Sequence, residues 1–261
     1  MTEPPYTSYA AVYDRLGQTW FGRDAALEVI AWLGAQGVVP VQVLDLCCGT
    51  GAASLVFAEH GMAVTGVDRS GSMLDVARRK VAEAGREVAF LEQDVTIFAV
   101  DGPFDLVTCF YDSLNYLRSE DELTWVVERA RQVLHDDGWL AFDLNTRKKL
   151  ESEWIGTMIA ADEPDLFVVY DATYDVDTAE SPLRVTGFRL DEDGAWRRFA
   201  EEHVERPFAL DRVRSILTEA GFASIHAYAF HDRTPHLGPP ASEEDSRWLF
   251  LARPSAQVSG R

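Results

Sequence analysis

The sequence predicts an α/β fold: a mostly parallel sheet with helices on both faces and an antiparallel β insertion late in the chain. Three observations predict it. Short apolar runs alternate with helix-period patterns through the first 145 residues. Those runs are apolar almost throughout, as strands covered on both faces require. Between about residues 158 and 206 the pattern changes to alternation with period two, before a helix and two apolar runs resume.

The elements follow in order. Helices are expected ahead of the sheet. Val41-Gln42-Val43-Leu44-Asp45-Leu46 is a first buried strand, ending in Cys47-Cys48-Gly49-Thr50-Gly51, and Ala52–Glu59 is a helix. Ala63-Val64-Thr65-Gly66-Val67-Asp68 is a second strand; Met73, Leu74, Ala77 and Val81 recur at helical spacing after Ser70. Residues 88–91 make a third strand and residues 104–110 a fourth. Leu123, Val126, Val127, Ala130, Val133 and Leu134 mark the clearest amphipathic helix, and Trp139-Leu140-Ala141-Phe142 opens a fifth strand. Phe167-Val168-Val169-Tyr170, a run at 184–189, and Arg197, Phe199, Glu201, His203 and Glu205 alternate in the insertion, with turn signals at Asp175 and at Asp193-Gly194. Leu210, Val213, Ile216, Leu217 and Ala220 form a helix stopped by Gly221. Closing strands at 224–230 and 246–252 bring the main sheet to seven. The expected division is a core at 1–146, an insertion at 147–207, a return to the core at 208–253 and a flexible tail at 254–261.

The chain has 261 residues, with 47% hydrophobic and 26% charged, which excludes whole-chain disorder. Lys and Arg number 24 against 43 Asp and Glu, a formal charge of −19, so nucleic acid is not an expected partner. The basic runs Arg78-Arg79-Lys80 and Arg147-Lys148-Lys149 read as solvated helix faces. There is no window of apolar residues long enough to span a membrane and no leader pattern. Cys47, Cys48 and Cys109 make an odd set with two adjacent, so a disulfide framework is not expected and a cytoplasmic setting is.

Ligands of such sheets sit beyond the carboxyl ends of the strands, where strand order reverses. The Gly49-Thr50-Gly51 turn lets backbone approach a ligand with no Cβ in the way. Asp68, ending the next strand, can accept both hydroxyls of a ribose. A dinucleotide site would want a third glycine where Ser54 stands, and Asp45 beside the loop would oppose a pyrophosphate while suiting a cationic ligand. No P-loop and no Gly-x-Ser-x-Gly elbow is present.

Five stretches in order resemble the class I S-adenosylmethionine-dependent methyltransferases, small-molecule type, with a Rossmann-like core. They are Val43-Leu44-Asp45-Leu46-Cys47-Cys48-Gly49-Thr50-Gly51, Gly66-Val67-Asp68-Arg69-Ser70-Gly71-Ser72-Met73-Leu74, Gln93-Asp94-Val95, the run from Phe104 through Tyr111-Asp112-Ser113-Leu114-Asn115-Tyr116-Leu117, and Val133-Leu134-His135-Asp136-Asp137-Gly138-Trp139-Leu140. The resemblance covers about residues 40–146, and the family often has glycine where Cys47 stands. It implies S-adenosyl-L-methionine as cofactor, with S-adenosyl-L-homocysteine as product. Asp45, Gly49 and Gly51 would hold the methionine end, Asp68 the ribose with Arg69 beside it, and Met73 the adenine. Asp94 and the Val95 backbone would meet the adenine amine, and Phe110 and Tyr111 would lie near the sulfonium. Tyr9-Ala10-Ala11-Val12-Tyr13-Asp14 resembles a tyrosine-rich helix that covers the cofactor, which makes Tyr13 a contact; simple packing of the tyrosines is the competing reading. The insertion resembles an acceptor lid, and allows a homodimer through it.

Methyl transfer from an activated sulfonium needs alignment more than chemistry, and a general base only where the acceptor keeps a proton. Asp112, His203 and Glu202 are the candidates, Asp112 also reading as a helix N-cap. A small-molecule acceptor with no membrane partner is expected. A nicotinamide oxidoreductase and a non-catalytic cofactor-binding module are the rival classes. No metal is expected: His226, His231 and His236 repeat every fifth residue, a spacing that changes strand face. Trp125 and Trp139 read as core, while Trp154 and Trp196 could line an acceptor pocket or pack.

Overall fold

The computed structural model describes residues 4–230 and 236–255. Two helices, α1 (Ala10–Tyr13) and α2 (Trp20–Ala35), lead into β1 (Gln42–Leu46), α3 (Ala52–Glu59), β2 (Ala63–Asp68), α4 (Gly71–Glu83), β3 (Ala89–Glu92) and β4 (Phe104–Cys109). A 3₁₀ turn (Ser113–Tyr116), α5 (Glu120–Val133) and β5 (Leu134–Asn145) follow, then a π-helical turn (Lys149–Glu153). The insertion is β6 (Gly156–Glu163), β7 (Leu166–Ala172), β8 (Ser181–Leu190) and β9 (Trp196–Glu205). After it come α6 (Leu210–Glu219), β10 (Phe222–Phe230), β11 (Leu237–Pro240) and β12 (Arg247–Pro254).

The main sheet runs β11-β10-β12-β5-β4-β1-β2-β3, with β5-β4-β1-β2-β3 parallel and β10, β11 and β12 antiparallel. The seven expected strands are there, and an eighth is added: β11, Leu237-Gly238-Pro239-Pro240. Two prolines and a glycine read as a loop, yet an edge strand tolerates residues that cannot donate to a ladder. β5 also starts earlier than expected, directly at Leu134, because the register against β4 jumps from Leu134 to Trp139 and absorbs the residues between as a bulge.

Strand alternation sorts the core into two layers. Leu44, Leu46, Val107, Leu140, Phe142 and Phe250 pack under α5 and α6, while Val43, Val64, Leu106, Ala141, Leu249 and Leu251 pack under α2 and α3. Trp139 is buried as expected, but Trp125 is 52% exposed on α5 and is not a core residue. Hydroxyl caps begin two helices: Ser70 Oγ accepts from Met73 N, and Ser119 Oγ from Glu122 N.

The insertion forms its own antiparallel sheet, β6-β7-β8-β9. Its inner face, through Leu166, Val168, Tyr170, Val185 and Phe199, packs on Tyr9 and Val12 of the N-terminal segment. Gly187 is needed there: a Cβ on it would come within 2.1 Å of the Phe199 ring. Glu201 on β9 accepts from the backbone N–H groups of Tyr6, Thr7 and Tyr9, tying the chain's start to the lid. Of the tail expected at 254–261, Pro254 closes β12 and residues 256–261 lie outside the described residues. His226 stacks on Tyr228 and bonds Ser224 on β10; His231 lies outside the described residues.

Candidate active site

Strand order reverses between β1 and β4, and the two loops leaving those strands bound one cavity of about 330 Å³. In the first loop Cys47, Gly49 and Gly51 take φ of 51°, 54° and 74°. The departure from glycine at Cys47 therefore puts a side chain in the left-handed region, at a cost in backbone strain. Gly49 N donates to Asp68 Oδ2 at 2.8 Å, and a Cβ at Gly49 would meet no protein atom within 4 Å. Gly51 does not line the cavity; its missing Cβ lets α3 start against α4, where Ala77 Cβ would lie at 3.1 Å.

Asp45 is almost wholly buried, accepting from Ser54 Oγ at 2.5 Å and Thr108 Oγ1 at 2.8 Å. Burial pushes its carboxyl up to about 6 despite those donors. Burial also raises Asp68, against the Gly49 and Ser70 amides that donate to it. Asp94 is opposed by burial too, but the Thr96 hydroxyl and amide hold it below its ordinary range. Tyr13, Asp45, Gly49, Asp68, Arg69, Met73, Asp94, Val95, Phe110 and Tyr111 all line this cavity. The carboxylates offer acceptors for hydroxyls and a field for a positive charge, and Met73, Val95 and Phe110 offer apolar contact, so the donor set fits an adenosyl sulfonium. The N-terminal segment is latched across its mouth: Asp14 pairs with Lys80 at 2.7 Å and accepts from Thr50 Oγ1 at 2.7 Å, and Ser70 Oγ donates to the Tyr6 carbonyl.

The second loop turns on Tyr111 and Asp112, at φ 64° and 51°. Two successive non-glycine residues in the left-handed region cost on the order of 1–3 kcal/mol each and need outside support. Asp143 at the end of β5 supplies it, accepting from Tyr111 N at 2.5 Å and Asp112 N at 3.0 Å. Arg247 of β12 pairs with Asp143 and stacks over Phe21 at 4.3 Å, and Phe21 stacks on Tyr111. Burial, offset by Arg247, raises Asp143 to about 6. Asp112 makes no side-chain cap, contrary to the N-cap reading; its Oδ1 lies 2.8 Å from Arg247 Nη1.

A second cavity of about 290 Å³ lies between this turn and the lid, sharing Tyr6, Tyr13, Gln18, Tyr111 and Tyr116 with the first. His203 lines it from the inner face of β9, but its Nδ1 is bonded to Tyr116 Oη at 3.0 Å and its Nε2 lies 3.4 Å from Glu201 Oε2. Tyr116 in turn bonds Tyr6 at 2.8 Å. Glu202, a candidate base from sequence, points outward and is exposed, because β9 alternates and the inward set is Glu201, His203 and Glu205. Trp154 lines the cavity; Trp196 does not, and is 49% exposed at the far end of the lid. Sequence reasoning missed Glu205, Asp143, Arg247, Tyr6 and Gln18. Only Glu205 had a legible signal, since a period of two placed it on the face of His203.

A methyltransferase-domain family model matches residues 43–138. A protein named as a methyltransferase in Geobacillus sp. (strain WCH70) is 30% identical over 255 residues, covering 95% of this chain and 99% of its own. Among solved structures, an S-adenosylmethionine-dependent methyltransferase from Clostridium acetobutylicum superposes with a TM-score of 0.81 at 22% identity, covering 96% of this chain and 99% of that one. CalS10, an amino pentose methyltransferase from Micromonospora echinaspora solved with its methyl donor bound, gives a TM-score of 0.71 at 21% identity, covering 98% and 100%. The chain belongs to the class I S-adenosylmethionine-dependent methyltransferases. Its methyl donor is S-adenosylmethionine, and the dehydrogenase and non-catalytic readings fall away. No helix among the described residues is long and apolar enough to cross a membrane.

Proposed function

We propose that the enzyme moves a methyl group to a nitrogen or oxygen of a small-molecule acceptor seated under the lid. The carrying observation is the pair of adjoining cavities with five residues in common, one walled by the sheet loops and one by the lid. In this reading residues 1–146 and 208–253 form the donor-binding core, and residues 147–207 form the acceptor lid. Asp45, Gly49 and the latched N-terminal segment hold the methionine end, with Gly51 acting through the helix it starts. Asp68 and Arg69 hold the ribose, Met73, Asp94 and Val95 the adenine, and Phe110, Tyr111 and Tyr13 enclose the methyl. S-adenosylmethionine supplies an already activated methyl on sulfur. The chain supplies alignment and water exclusion, which can contribute about 7–11 kcal/mol. CalS10, which acts on an amino pentose, supports an enclosed small acceptor.

Asp112 is tied to Arg247 and His203 sits behind Tyr116, so each acts on the acceptor through a neighbour. A net charge of −19 argues against a nucleic acid acceptor. The three unpaired cysteines support a cytoplasmic setting. The outward Ile159 and Phe188 of the lid are where a homodimer would form, and sedimentation of the Ile159→Glu variant beside the parent tests it. The reading as a whole is tested by binding S-adenosylhomocysteine and then screening amines, phenols and alcohols for uptake of a labelled methyl. Tight product binding with transfer to a small acceptor is expected. Transfer only to a macromolecule contradicts it.

A further inference from the structure

Six of the chain's eight tyrosines line the lid-side cavity: Tyr6, Tyr9, Tyr13, Tyr111, Tyr116 and Tyr170. Three of their ring pairs meet steeply, while Tyr6 is tilted by 34° to Tyr9 and by 46° to Tyr116. Tyr9 stands at 85° to Tyr13 and 82° to Tyr170, and Tyr6 at 77° to Tyr13. Rings set this way make walls of a box, not a stack, and ring faces are the negative side of the aromatic quadrupole. An apolar acceptor would be served as well by leucine. Six aromatic rings bordering one space give a cation electron-rich surface to meet.

One carboxyl faces that space from the inner side of β9. Glu205 is buried, and its Oε2 accepts from Asn145 Nδ2 at 2.8 Å. The groups around it are Asp112 from the turn after β4, Tyr6, Tyr116, His203 on its own strand, Lys149 from the π-helical turn and Arg247 from β12. Burial, then the charge of Asp112, push Glu205 up to about 8, against the Asn145 bond, Arg247 and Lys149. Arg247 is already paired with Asp143 and Asp112. Lys149 and Arg247 offset the burial only in part, so the carboxyl that burial keeps protonated becomes a further counter-ion when a cation enters.

We propose that the acceptor is an amine, bound as its ammonium ion in the tyrosine box, and that Glu205 is its partner and takes its proton. The inference rests on the lid cavity being the acceptor site. An N–H bond of the ammonium breaks and an O–H bond forms on Glu205. The nitrogen lone pair so freed forms the bond to the methyl carbon, while the carbon–sulfur bond breaks with its pair left on sulfur. The product nitrogen carries the positive charge that sulfur gave up, and Glu205 gives its proton to solvent when the next ammonium ion enters.

The test uses the full chain saturated with S-adenosylhomocysteine, titrated calorimetrically with choline and with its neutral isostere 3,3-dimethylbutan-1-ol in two buffers of different ionisation enthalpy. At about pH 7 choline binds about tenfold tighter than the alcohol and releases nearly one proton. Raising the pH to about 9 tightens choline up to about tenfold more and abolishes the release, because Glu205 is then ionised beforehand. Glu205→Gln removes the proton release and the pH dependence while leaving S-adenosylhomocysteine affinity unchanged. Tyr170→Leu weakens choline more than the alcohol. Equal affinity for choline and alcohol, no choline binding, or no proton release by the parent protein overturns the amine assignment. Failure to bind S-adenosylhomocysteine strikes the proposed function instead.

Discussion

The donor cradle and the lid cavity lie side by side but are built by different means. The cradle is made from loops that leave adjacent strand tips, and each contributes a few consecutive residues: 47–49 after β1, 68–69 at the end of β2, 94–96 after β3. Its carboxylates are satisfied locally, Asp68 by two backbone amides and Asp45 by two hydroxyls. The lid cavity gathers side chains from the N-terminal segment, the β4 turn, the end of β5, the lid and β12. Its acids depend on partners far away in sequence, Asp112 on Arg247 and Glu205 on Asn145. A ligand common to a whole family is met by backbone geometry, which sequence drift leaves intact. In the proposed reading, the ligand particular to this chain is met by side chains gathered from the N-terminal segment, the inserted sheet and the strand tips.

The largest expected effect falls where the two regions join. Arg247→Ala leaves Asp143 charged, buried and unpaired beneath the strained Tyr111–Asp112 turn. It should cost about 3–5 kcal/mol in denaturant unfolding. Arg247→Met, which keeps the stem against Phe21, should still lose most of that stability; a small loss in both would separate the turn from the ion pair. Next, Asp68→Ala removes the acceptor of two loop amides and should weaken S-adenosylhomocysteine by about 100-fold in calorimetry, from charged hydrogen bonds of about 1.5–3 kcal/mol. The same ligand should bind normally to Glu205→Gln, and parallel losses in both variants would break the distinction between the two regions.

This division also sets what could be read in the sequence. The strand–turn–helix units at Asp45–Gly51 and at Asp68–Met73 are contiguous, so alternation and glycine placement marked Asp45, Gly49 and Asp68, while the family resemblance implied the other seven expected residues that line the cradle: Tyr13, Arg69, Met73, Asp94, Val95, Phe110 and Tyr111. The lid was visible as a change of period, and its inward face followed from the parity of Glu201, His203 and Glu205. Nothing in a one-dimensional pattern brings Arg247 to Asp143 or Tyr6 to Tyr116, because those contacts span 104 and 110 positions. Gly51 shows a related limit: a left-handed glycine in a ligand loop reads alike whether its Cβ position faces a ligand or, as here, a neighbouring helix. β11 escaped because its prolines obey edge-strand rules that only the assembled sheet reveals.

Titration sharpens the comparison further. Burial raises Asp45 from 3.8 to about 6 and Glu205 from 4.5 to about 8. The folded state therefore holds protons that the unfolded state has released, and stability falls as pH rises through each window. Asp45→Asn should flatten the decline between about pH 4 and 6, and Glu205→Gln the decline between about pH 4.5 and 8, as read from midpoints of urea unfolding. A parent protein whose stability rises across both windows would contradict the burial argument. The smallest effect is expected from Gly187→Ala, where the Phe199 ring must give way: about 1–3 kcal/mol of stability, with S-adenosylhomocysteine affinity unchanged.

A crystal structure of the complex with S-adenosylhomocysteine tests the central claim most directly. The account predicts the nucleoside in the cavity between Asp68 and Asp94, with the sulfur at the tyrosine wall shared with the lid cavity. The product lying under the lid, or a sulfur turned away from Tyr6, Tyr111 and Tyr116, would contradict it.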